Sequence, residues 1–201
     1  LVINEQTSVL VDCGLFQGED SKADLSIEFD ITHVTALIVT HCHIDHVGRI
    51  PYLLAAGFKG PIFTSIASAS LLPLVIEDAL KVGVTRDPKI IAACLSLLNK
   101  RIVAVDYKTW FELPCKGLNK AKARFQRAGH ILGSAYVEID ITNSNNNKHR
   151  VVFSGDLGAP YTPLLPSPKP PYKADTLVIE STYGDKNHQG RKERTQTLKS
   201  I

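Results

Sequence analysis

The chain has 201 residues, 44% of them hydrophobic and 21% charged, with a net charge of +3. That is long and apolar enough for one sizeable core and excludes a disordered or low-complexity polymer. No apolar run approaches the roughly 20 residues of a membrane span, and the charge is too mild to indicate nucleic acid by itself. Four cysteines (Cys13, Cys42, Cys94, Cys115) are scattered without a Cys-x-x-Cys pair. That spacing argues against zinc-finger chemistry and for a reduced, cytoplasmic setting.

"SVLVD" predicts a buried strand over Ser8–Asp12, ending at Asp12 just before Gly14. Asp12 reads equally well as a turn former and as a partner that orients a metal-binding histidine. "TALIVT" is β-branched, apolar and uncharged, and predicts a fully buried strand over Thr35–Thr40. His41–His46 follow at its carboxyl end, where open α/β sheets place ligands. A helix over Val47–Ala56 with its stop at Gly57 comes next, then a strand over Pro61–Thr64. Helices are expected over Ser68–Lys81, ending near Gly83, and over Pro88–Asn99. Strands over Lys122–Arg127 and Ala135–Thr142 flank a glycine-bounded His130, and the polar "NSNNNKHR" between later strands reads as a hairpin tip. A strand over Arg150–Ser154 ends in Gly155-Asp156. The Pro-rich "APYTPLLPSPKPPYK" cannot be helix or central strand and is expected to rim the site. Thr176–Glu180 returns as a core strand. Residues 186–201 carry five Lys/Arg against one Glu, which fits a solvated helix start better than a phosphate patch.

The chemistry concentrates in "THCHIDHVG". Neutral imidazole and carboxylate are the nitrogen and oxygen donors that Zn²⁺, Mn²⁺ and Fe²⁺ accept. His41 and His43, two apart in extended chain, can point the same way, and Cys42 between them points the other way. Asp45 and His46 are adjacent and reach a different point, which favours two metal positions over one. His130 and Asp156 supply further donors, with Asp156 a candidate for the carboxylate shared by two ions.

At these residues the chain resembles the metallo-β-lactamase superfamily, whose His-x-His-x-Asp-His signature is His41, His43, Asp45 and His46, with His130 and Asp156 as the later motifs. Within it, "VDCGLFQG" (Val11–Gly18), "GHILGSA" (Gly129–Ala135) and "VIESTYGD" (Val178–Asp185) resemble the β-CASP RNA-processing nucleases, such as ribonuclease J-like enzymes and the pre-mRNA 3′-end endonuclease. Periodicity alone gives a mixed α+β or α/β fold; the resemblance implies an αββα sandwich. It implies two zinc ions, the first on His41, His43 and His130, the second on Asp45, His46 and Asp156, with Asp156 bridging. Mn²⁺ and Fe²⁺ suit the same donors. The implied catalytic residues are Asp45, as a proton acceptor, and Glu180, as support for a general-acid histidine. The implied reaction is hydrolysis of RNA phosphodiesters through a metal-bound hydroxide.

The family pattern also has strands upstream of "VDCGLFQG", a large β-CASP insertion and two further histidine motifs. The chain therefore reads as an incomplete sandwich: residues 1–185 a partial metal-binding domain, residues 186–201 the start of a segment leading into a β-CASP part. On that reading the second metal is held weakly and nuclease activity is negligible in this chain. An uncovered sheet edge would invite homodimer formation. The alternatives are another hydrolase of the same fold, of thioesterase or lactamase type, a DNA-processing relative, or a non-catalytic scaffold subunit of an RNA-processing complex. No membrane partner is expected.

Overall fold

The computed structural model describes residues 1–16, 24–117, 119–160, 162–185, 196–197 and 199–200. The last two residues of "VDCGLFQG" and nearly all of the basic 186–201 stretch lie outside the described residues. In chain order the elements are β1 (Val2–Asn4), β2 (Thr7–Val11), β3 (Val34–Ile38), α1 (Ile44–Val47), α2 (Ile50–Ala55), β4 (Ile62–Ser65), α3 (Ile66–Gly83), α4 (Pro88–Asn99), β5 (Ile102–Val105), β6 (Trp110–Leu113), β7 (Lys120–Arg127), β8 (Ala135–Thr142), β9 (Lys148–Phe153) and β10 (Thr176–Val178).

The strands form two five-stranded sheets, ordered β1-β2-β3-β4-β5 and β10-β9-β8-β7-β6. In the first, β2 to β5 run parallel and β1 pairs antiparallel with β2. The second is antiparallel except that β10 lies parallel to β9. Side-chain alternation assigns the faces. Ala36 and Ile38 of β3, with Phe63 of β4, face the second sheet, where they meet Phe125, Val137 and Ile139. Leu37 and Val39 point the other way, into a core shared with Leu72, Ile76 and Leu80 of α3 and Leu98 of α4. Among the described residues one helix layer and two sheets are thus present, three of the four layers of an αββα sandwich. The outer face of the second sheet carries charge instead. Buried Glu138 accepts from Arg124 Nε at 2.7 Å and Gln126 Nε2 at 3.2 Å, and Arg150 grips Asp140 through Nε at 2.5 Å and Nη2 at 2.8 Å.

Of the three helices expected, two form in place; the third is divided. The helix expected over Val47–Ala56 is broken by Gly48 and Arg49 into α1, which starts inside the histidine cluster, and α2, which restarts with Pro51 in its first turn. Strands β1, β5 and β6, three or four residues long, lie outside the strands expected from the sequence. Among the described residues, the Pro-rich stretch does not line the cleft beside His43 and His130. It passes Gly129, where a Cβ would lie 2.7 Å from the Pro166 carbonyl oxygen, and Pro168, Pro170 and Pro171 line a separate cavity of about 260 Å³ with Tyr136, Val152 and Leu177.

Phe125 is fully buried between the sheets, its ring 5.3 Å from Phe111, which stacks on Phe63 at 4.7 Å. Phe125→Ala should destabilise the fold by about 3–5 kcal/mol, read as a lowered urea midpoint. An unchanged midpoint would contradict this packing.

Candidate metal centre

Three backbone turns deliver the donors. The first follows β3. Asp12 N bonds Ile38 O at 2.9 Å, Cys13 N bonds His46 O at 2.8 Å and Arg49 N bonds Cys13 O at 2.9 Å, so the end of β2 clamps the His41–Arg49 turn. Gly14 is required for that approach: a Cβ there would sit 1.4 Å from the Asp45 carbonyl oxygen. The second turn joins β7 to β8. Ser134 Oγ accepts from His130 N at 3.0 Å and Ile131 N at 3.2 Å. The Gly133 carbonyl accepts from the hydroxyls of Ser65 (2.7 Å) and Ser68 (3.0 Å) at the start of α3. The third follows β9, where Gly155 adopts φ +51° and so turns Asp156 toward β3. Ala135 N bonds Thr40 O at 2.9 Å and ties the two sheets together at this point.

These turns bring the six sequence-predicted ligands to one place. His41 Nε2 and His130 Nε2 each lie 3.1 Å from His43 Nδ1. Asp156 Oδ2 is 3.6 Å from His41 Nε2 and 3.4 Å from His130 Nε2. The donor atoms of these four residues all fall within 4.8 Å of one another. The other oxygen, Asp156 Oδ1, lies 3.1 Å from His46 Nε2, which is 3.7 Å from Asp45 Oδ2. Cys42 points away into the core, its Sγ donating to Ser68 O at 3.4 Å.

The four-residue set fits a divalent ion. With metal–nitrogen bonds near 2.0–2.1 Å, the edges of a tetrahedron of ligands are about 3.3 Å. Four of the six donor spacings, two at 3.1 Å and two at 3.4 and 3.6 Å, lie near that value, and the remaining two fall within 4.8 Å. A mutual hydrogen-bond network explains the set less well, because His43 Nδ1 faces two ring nitrogens and carries at most one proton.

Behind the donors, Asp12 accepts from His46 Nδ1 at 2.7 Å, from Thr40 N at 2.8 Å and from the Thr40 hydroxyl at 2.7 Å. Of its two sequence readings, the histidine partner is the one these contacts match, and its φ of +59° also makes it a turn residue. Thr40 and Ser134, both hydroxyl supports of this centre, carry no pattern that sequence reasoning singled out. Glu180 lines a cleft of about 520 Å³ with His43, His130, Asp156, Leu157 and Ser181–Gly184. Its carboxylate accepts from Leu157 N at 2.5 Å, and its own N donates to Ser154 Oγ at 2.9 Å. Glu180 therefore also ties down the loop that carries Asp156.

Burial, reinforced by His46, His43 and His130, pushes the His41 pKa down to about 3. His46 is raised: burial opposes its charge, but the Asp12 hydrogen bond and the charges of Asp12, Asp156 and Asp45 outweigh it. In the metal-free protein the unfolded chain takes up the His41 proton below its ordinary 6.5, while the folded chain resists until about 3. Stability should therefore fall as pH drops through that window, with His46 offsetting part of the loss. Urea midpoints at pH 7 and 5 should show the decline, and His41→Asn should make it shallower; an equal decline would mean that His41 is not the source.

The chain matches the metallo-β-lactamase superfamily over residues 1–85. Ribonuclease TTHA0252 of Thermus thermophilus is 36% identical over 196 residues, covering 96% of this chain and 42% of the relative. Endoribonuclease YSH1 of Yarrowia lipolytica is 29% identical, covering 96% of this chain and 23% of the relative. Transcription termination factor FttA of Methanosarcina mazei is 29% identical, covering 93% and 29%. The chain thus spans less than half the length of these relatives. Among solved structures, a metallo-β-lactamase from Novosphingobium pentaromativorans aligns with a TM-score of 0.47 at 17% identity, over 89% of this chain and 67% of its own. With its histidine–aspartate cluster at the ends of two facing sheets, the chain matches the metallo-β-lactamase superfamily over residues 1–85 and has ribonucleases among its relatives.

Proposed function

We propose that this chain is the metal-binding part of a ribonuclease that hydrolyses RNA phosphodiester bonds with two zinc ions. The observation that carries the proposal is the double facing of Asp156, with Oδ2 in the group of His41 and His130 and Oδ1 against His46. A carboxylate with one oxygen in each of two donor groups suits a pair of ions held close together. The first position takes His41 Nε2, His43 Nδ1, His130 Nε2 and Asp156 Oδ2. The second takes Asp45 Oδ2, His46 Nε2 and Asp156 Oδ1. A nitrogen-rich first set favours Zn²⁺, and Mn²⁺ and Fe²⁺ suit the same donors. Ions so placed supply a lowered pKa for water and neutralise charge building on a phosphate.

The chain's own residues do the rest. Asp45, its side chain 33% exposed beside His46, is placed to accept a proton. Glu180 fixes the Leu157 backbone and with it the angle of Asp156. The cleft beside His43 and His130 is open enough to admit an extended phosphodiester. The ribonuclease relatives support RNA as substrate, and sheets running from Val2 to Val178 support a domain of residues 1–185. The four free cysteines support a cytoplasmic setting. Edge strand β1, with Val2 74% exposed, is the surface we assign to a homodimer.

The two positions differ in donor number among the described residues, four against three. Calorimetric zinc titration should resolve a tight and a weaker class; two equally tight ions would overturn the ligand division. In a form of the protein that cleaves RNA, His43→Ala should lose the tight class by more than the ~10–100-fold that removing a supporting partner costs, and cleavage with it. Cleavage at the wild-type rate would sink the nuclease reading.

A further inference from the structure

We infer that Thr40 is a positioning residue: its hydroxyl relays the hydrogen-bond demand of Asp12 to His41, so that one carboxylate sets the coordinating nitrogen of a histidine in each of the two donor groups. The consequence for metal binding rests on the proposed function; the relay itself rests on the hydrogen bonds alone.

Asp12 Oδ2 faces both the Thr40 hydroxyl and His46 Nδ1, each at 2.7 Å. A carboxylate offers only lone pairs, so both neighbours must donate. His46 therefore carries its proton on Nδ1. A hydroxyl has one proton, and Thr40 spends it on Asp12. The Thr40 oxygen then has only lone pairs for His41 Nδ1, 3.1 Å away, which makes that nitrogen an N–H donor as well. A neutral imidazole carries one N–H. In the neutral form of both rings the lone pair is thus left on Nε2, the nitrogen that faces Asp156.

The reverse polarity fails at every link. If the Thr40 hydroxyl donated to His41, its oxygen lone pair would face a carboxylate oxygen at 2.7 Å. If His41 carried its proton on Nε2, its Nδ1 lone pair would face the lone pairs of the Thr40 oxygen at 3.1 Å. His41 is fully buried, so water cannot replace the Thr40 contact. Asp12 cannot easily swing away either, because Thr40 N holds its other oxygen at 2.8 Å and Ile38 O holds its own N–H at 2.9 Å. Direct contact on one side and a one-hydroxyl relay on the other let a single side chain serve both groups.

The test uses metal-free protein labelled with ¹⁵N-histidine, in which long-range ¹H–¹⁵N spectra report which ring nitrogen bears the proton. In the wild type both His41 and His46 should show Nδ1–H; a proton on His41 Nε2 overturns the relay without any variant. Thr40→Val keeps the shape and removes the hydroxyl. It should scramble or invert the His41 tautomer and leave His46 unchanged, and Thr40→Ser should restore the wild-type pattern. A Val variant with the wild-type His41 tautomer also overturns the relay. In chelator competition Thr40→Val should weaken the tight zinc class by about 10–100-fold and spare the weak class. Asp12→Asn should weaken both classes. A zinc titration with no tight class in the wild type would instead remove the metal reading, and the tautomer spectra would still decide the relay.

Discussion

The constraint on which this structure turns is the crowding of four imidazoles and two carboxylates at the junction of two sheets. Ring centroids of His41 lie 4.1 Å from His46, 4.7 Å from His43 and 5.1 Å from His130. His41 is also cut off from water, so its charged form is strongly disfavoured. Without an ion, this arrangement sets lone pairs against one another and gains little from hydrogen bonding. The fold must hold it by force from outside, and most of the local sequence does so. Gly14 lets the end of β2 press on the Asp45 turn, and Gly155 lets Asp156 turn inward past Thr40. Ser65, Ser68 and Ser134 pin the His130 loop to the start of α3.

The parts legible in the sequence were those with a dense local signal. "TALIVT" followed by a histidine run marked a buried strand delivering donors at its end. The glycine-bounded His130 and Asp156 marked two more turns of the same kind, and all six residues arrive within reach of one another. The long helix expected over Ser68–Lys81 runs through Pro73, and its Ser65 cap lay just outside the apolar stripe that revealed it. What escaped had no local signature. Strands β1 and β6 each pair along the edge of a longer neighbour, and β5 pairs with β4 of equal length. Thr40 reads simply as the last β-branched residue of a strand. Its hydroxyl acquires a purpose only once Asp12, 28 residues earlier, is folded against it.

Position within the fold also explains why the cluster sits where it does. His41 to His46 come from the first sheet, and His130 and Asp156 from the second. Between them lies a core built from side chains of both sheets, Ile38 and Phe63 against Phe125 and Val137. The Ala135–Thr40 backbone bond joins the sheets where that core meets the site. An ion held by His41, His43, His130 and Asp156 would therefore cross-link the two sheets. Free energy released on binding it would also stabilise their packing, since separating the sheets would break the ligand set. The reverse holds as well: a core that keeps the sheets at fixed separation keeps the donors near the 3.1–3.6 Å spacings an ion requires. Core packing and ligand geometry are on this account one cooperative unit, and the hydrogen bonds of Asp12 and Thr40 make up the rigid side of it on the first sheet.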